Sequence, residues 1–187
     1  MPNPAMGKLS EHVKAARFLQ TALAAISTTN PEYGFQHNVR HVFRVMRDPR
    51  SEYHAHMPYI CLVGGRRRYT TGDDGAPMNF YETFAEFRAW GFTLVGKDTD
   101  PDYNPEDVLD QFIADIQAAL LLPFELIGGH EDSVVDHLHL RDADHMVIAG
   151  QEPIGVCEVG FEAQYMIRSS VEPDAIPPVD GPYQGRT

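Results

Sequence analysis

Nine histidines are spread over the 187 residues, and four of them fall in HEDSVVDHLHLRDADH, positions 130 to 145, together with four aspartates. Imidazole and carboxylate are ordinary ligands of zinc and related ions. His137 and His139 form an HxH pair, and His54 and His56 form a second. On an extended strand, residues i and i+2 project to the same side, so each pair could hold one ion. Asp142, Asp144 and His145 follow closely, so the sharpest catalytic expectation is a metal site made of His137, His139, Asp144 and His145.

The surrounding pattern does not complete such a site. HLHLRDADHMVIAG resembles the first cupin motif, which implies a small metal-dependent enzyme, but its acid is Asp144 rather than Glu. The glycines expected before the first histidine are misplaced, and no histidine follows His145 to serve a second motif. The HxHxDH order of metallo-β-lactamases fails because Asp142 is displaced by one position. The plainer expectation is that Asp136, Asp142 and Asp144 solvate a loop or an edge strand, with His137 and His139 on its polar face. Charges there also discourage sheet-to-sheet aggregation. There is no phosphate loop, GxGxxG, GxSxG, CxxC or HExxH. The sequence therefore predicts no catalytic residues, no metal and no cofactor.

Fifteen Lys and Arg face 27 Asp and Glu, a net charge of −12. A chain this acidic is repelled by nucleic acid, whose phosphates need clustered cations. The only basic cluster is Arg66, Arg67 and Arg68, read as a solvated hairpin edge that could also pair with acidic surface on a neighbour. Cys61 and Cys157 lie in apolar runs and read as small buried hydrophobes rather than a disulfide. No apolar stretch is long enough to cross a bilayer, and the first residues lack the order of a signal peptide. The protein is expected to stay in the cytoplasm unless it is built into something larger.

These residues need elements to position them. Residues 1–8 read as a loose arm, 9–168 as a single domain, and 169–187 as a Pro-rich tail. Leu9, Val13, Ala16, Leu19, Leu23 and Ile26 fall three or four apart, one stripe of an amphipathic helix. Alternation predicts strands over 35–46 and 57–65, then a turn-rich loop from the arginines to Asn79. A third strand runs through YETFAEFRAWGFTLVG, with a bend or bulge expected near Gly91. Asn104 as N-cap, Pro105 at the first position and Glu106 and Asp107 in the first turn open a second helix. Its apolar face is Val108, Leu109, Phe112, Ile113, Ile116 and Leu120, and Asp110, Gln111, Asp115 and Gln117 are assigned to its polar side. The strict alternation of Cys157, Val159, Phe161, Ala163, Tyr165 and Ile167 marks a long half-buried strand. The expected class is α+β, an antiparallel, possibly mixed, sheet with two amphipathic helices packed on one face.

The order of HVKAARFLQTALAAI, PYICLVGG, WGFTLVGKDTD, NPEDVLDQFIADIQAAL and VCEVGFEAQYMI resembles the tail terminator, or tail-completion, proteins of tailed bacteriophages over about residues 9 to 168. The resemblance implies a structural virion protein of the neck, made in the host cytoplasm. It implies a homo-oligomeric ring, usually of six subunits, on the last ring of the tail tube. Its partners would be the tail tube protein, a head-side connector or stopper, and possibly the sheath. An acidic lumen would let DNA pass without specific binding. Candidate assembly contacts are Arg66, Arg67, Arg68, Asp73, Asp74, Asp98, Asp100 and Asp102. The neighbouring alternative is another head-completion or connector protein, and the alternative from a different class is the metal enzyme around His137 and His139.

Overall fold

The structure, a computed structural model, describes residues 10–29, 33–71, 80–96, 103–121 and 134–168. Helix α1 (Glu11–Ala24) begins where Ser10 caps the free amide of Val13 and buries Ala15, Ala16, Leu19, Ala22 and Leu23. Strand β1 (His41–Phe43) and a short 3-10 helix (Glu52–His56) lead into β2 (Tyr59–Thr71) and β3 (Phe80–Leu94). Helix α2 (Pro105–Leu121) follows, and β4 (His137–Ile148) and β5 (Ile154–Arg168) complete the sheet.

The five strands lie in the order β1-β2-β3-β5-β4, and every pair is antiparallel except β1 with β2. The fold is α+β, as the alternation and the two apolar stripes predict. Both helices pack on one face, over Ile60, Leu62, Ala85, Phe87, Ala89, Cys157, Val159 and Phe161. A smaller cluster of Met57, Tyr59, Cys61, Phe92, Ile154 and Val156 lies at one end of the opposite face. Both cysteines are buried and unbonded, and burial pushes the Cys157 thiol up to about 12.

Three local expectations are corrected. The strand expected over 35–46 shrinks to three residues. Its first half is spent on turns: Phe35 is buried in the core, and Val39 donates its amide to Ile26. Strand β2 does not stop at Gly65 but continues through the arginines to Thr71. A register shift between Gly64 and Arg67 takes up the irregular stretch, and the ladder to β3 resumes beyond it. So the bulge is here and not at Gly91, where β3 holds unbroken register with β5. Gly91 is required for space instead. A Cβ there would stand 2.7 Å from Cys157 Sγ and 2.8 Å from Phe112 Cε1.

Candidate assembly surface

Because side chains alternate along strands, the sheet face away from the helices collects Glu82, Phe84, Glu86, Arg88, Glu158, Glu162 and Gln164 in facing registers of β3 and β5. No helix covers these residues among those described. Glu162 is the centre of this face. It is 6% exposed, and its Oε2 accepts from Arg68 of β2 at 2.7 Å and from Arg141 of β4 at 2.8 Å. Arg68 reaches it across β3 by lying over the Phe84 ring. Arg88 pairs with Glu158 and lies 3.8 Å from Asp142, and Gln164 donates to Glu82. The result is a lattice that ties four strands together by side chains as well as backbone.

The far end of the same face is apolar. Met46, Pro49, Trp90, Phe92, Met146 and Ile148 line a groove of about 410 Å³. Met46 and Met146 are half or more exposed there.

The four candidate ligands of the metal-enzyme alternative do not converge. His137 and His139 sit on the open face with ring centroids 6.4 Å apart. The register shift at Arg141 keeps Asp142 and Asp144 on that face. His145 therefore turns to the helix side, where its Nδ1 is 3.4 Å from Asp110 of α2. Among the described residues no three His, Cys, Asp or Glu side chains gather around one point. His54 and His56 lie on a 3-10 helix, so the strand argument for a shared side does not apply to them. His54 pairs instead with Glu152 at 3.2 Å. The apolar neighbours of His41 suggest a core or interface histidine; it is not in the core but exposed, stacked on Phe43 and edge-on to His56.

Of the two placements expected for the aspartates, a loop or an edge strand, β4 is an edge strand among the described residues. Of the expected assembly contacts, Arg66 and Arg67 are exposed on β2, and Arg68 is engaged with Glu162. Asp73, Asp74, Asp98, Asp100 and Asp102 lie outside the described residues.

Two buried polar arrangements escaped the sequence. Asp115, assigned to the polar side of α2, is 3% exposed and accepts from the amides of Gln36 and His37. His12 of α1 bonds the Tyr165 hydroxyl at 2.8 Å through Nδ1 and stacks on Phe87. Burial, with Arg67 and Arg44 nearby, holds the His12 imidazole below its ordinary range, and burial pushes the Tyr165 phenol up to about 12. A histidine at the first turn of an amphipathic helix carries no sequence signal for this role.

No helix is long and apolar enough to cross a membrane among the described residues. Compared with known proteins, the chain matches no protein-family model and no curated protein at a significant level.

Proposed function

We propose that this protein is a structural virion component of a tailed bacteriophage, a ring-forming tail terminator that caps the tail tube and joins it to the head-side connector. The observation that carries this reading is a rigid sheet left open where an assembly subunit needs to be open: uncovered on most of one face and unpaired, among the described residues, along β4 and the outer half of β2. An open sheet edge offers a row of free amides and carbonyls, which a neighbouring subunit can satisfy. The order helix, sheet hairpin, helix, long closing strand is also that of the tail-completion proteins the sequence resembles. The net charge of −12 suits a lumen through which DNA slides.

Electron micrographs of particles assembled without this protein test the reading. Tails of uncontrolled length, unjoined to heads, are the expected result. Tails of normal length that fail only to join heads would reassign the protein to head completion. Normal, joined particles would end the virion reading altogether.

A further inference from the structure

The chain is acidic overall, but its charge is segregated across the sheet. Residues 40–71, which form β1, the 3-10 helix and β2, carry seven arginines against two acids, Asp48 and Glu52. This is one edge of the sheet. Arg44, Arg66 and Arg67 are exposed there, and none has a carboxylate partner among the described residues. Their field is felt locally, since Arg67 and Arg44 both disfavour the charged form of His12. The opposite edge is β4, with α2 lying over β4 and β5 beside it. On α2 and residues 134–148 six carboxylates are exposed, Glu106, Asp107, Asp110, Asp136, Asp142 and Asp144, against the single Arg141.

We propose that these two edges are the halves of one head-to-tail interface between copies of this chain. The β2 edge of one copy, with Arg44, Arg66 and Arg67, faces the β4 edge of the next, with Asp110, Asp136 and Asp144. The proposal rests on the ring-forming reading and names the surfaces that would make the ring. A symmetric contact of like edges would set arginine against arginine or carboxylate against carboxylate, which is strongly unfavourable. Charge therefore selects the heterologous contact, the kind that generates rings when the rotation closes. The strand directions agree. β2 and β4 run in opposite directions in the sheet, so a copy added edge to edge in the same orientation meets its neighbour antiparallel.

Sedimentation velocity on the full chain and two variants tests this. One variant carries Arg66→Glu with Arg67→Glu, the other Asp110→Lys with Asp144→Lys. All four positions are exposed, and circular dichroism checks that both variants fold. Each variant alone sets like charges at every contact, so its self-association falls by about 100-fold or more. An equimolar mixture restores opposite charges at every alternating contact and assembles as the wild type does. Variants that assemble alone as tightly as the wild type, or a mixture that fails to recover, overturn the edge assignment and leave the ring reading standing. A wild type that stays monomeric at high concentration, with and without tail tubes, overturns both.

Discussion

The backbone amide and the Nδ1 of His37 both reach the carboxylate of Asp115, at 2.9 and 2.8 Å, although 78 positions separate the two residues. The neighbouring amide of Gln36 reaches the same Oδ2 at 3.0 Å, and the His37 ring stacks on Phe112 with centroids 4.4 Å apart. One carboxylate thus pins the segment between α1 and β1 to the middle of α2. Removing it strands two partly buried amides, each costing about 1–3 kcal/mol. Asp115→Ala is expected to lower the unfolding free energy by about 3 kcal/mol, and Asp115→Asn by about half that, because the amide oxygen still accepts one bond. Urea denaturation measures both. A loss below about 0.5 kcal/mol for the alanine variant would mean that water replaces the carboxylate at no cost.

Gly91 lies opposite Cys157 in the β3–β5 ladder and against Phe112, where β3, β5 and α2 meet. With Cys157 Sγ and two Phe112 ring carbons standing within 3.1 Å of a built Cβ, Gly91→Ala forces the helix away from the sheet. The expected cost is about 1–3 kcal/mol. Trimming the obstacle offsets it: Gly91→Ala combined with Phe112→Leu should lose less stability than the sum of the two single variants. Thermal melts of the three proteins give the comparison, and strict additivity would place the strain elsewhere.

The sequence made the helix starts and the β5 face legible because each follows from strictly local rules. Ser10 and Asn104 cap, Pro105 sets a φ, and a period of two sorts Cys157 to Tyr165 inward. What it hid depends on distant chain. Asp115 reads as polar by residue type, although it lies three residues after Phe112 and four before Ala119, both buried, and the amides of the loop at His37 are what let a carboxylate sit there. Three consecutive arginines look like the end of a strand, yet β2 continues because β3 supplies its ladder and Glu162 supplies one counter-charge. The candidate assembly surface was half visible. The arginine cluster and the His/Asp segment could each be picked out, but their positions on opposite edges of one sheet follow from the strand order, which no local pattern encodes.

The histidines of β4 should prove dispensable. His137 and His139 are exposed on the open face, and His145, which a three-ligand site would need, points to the other side. Replacing His137 and His139 together by alanine is expected to change stability by less than about 0.5 kcal/mol and to leave self-association intact. Elemental analysis of protein purified without added metal supplies the opposing outcome. A stoichiometric ion that disappears in the double variant would return this strand to the metal-enzyme class.

His12 makes stability depend on pH in a defined direction. Its folded-state pKa lies below the ordinary 6.5, chiefly through burial and then through Arg67 and Arg44. In the unfolded chain it titrates at its ordinary value. Just below pH 6.5 the unfolded state therefore binds more protons, and stability falls as pH drops through that window toward the folded-state value. Wild type should lose more stability than His12→Gln between pH 7 and the acid end of the window, read from denaturation midpoints. Parallel pH curves for the two proteins would remove His12 from the linkage.

Glu162 gives the open face its strongest internal test, because two arginines share one buried oxygen. Either arginine alone leaves the carboxylate with a counter-charge, so Arg68→Ala or Arg141→Ala should cost only about 1 kcal/mol, as expected for side chains roughly half exposed. Removing both leaves a carboxylate, 8% exposed at its side chain, with no cation on it. That state is costly, and the double variant should lose about 3 kcal/mol, more than the sum of the singles. Replacing Glu162 by Gln in the double variant should then recover part of the loss, since a neutral amide tolerates burial without a counter-ion. The sign of the coupling separates a shared anchor from two independent surface contacts. A double variant equal to the sum, unmoved by Glu162→Gln, would show that solvent screens the carboxylate and that β2 and β4 are not joined through it.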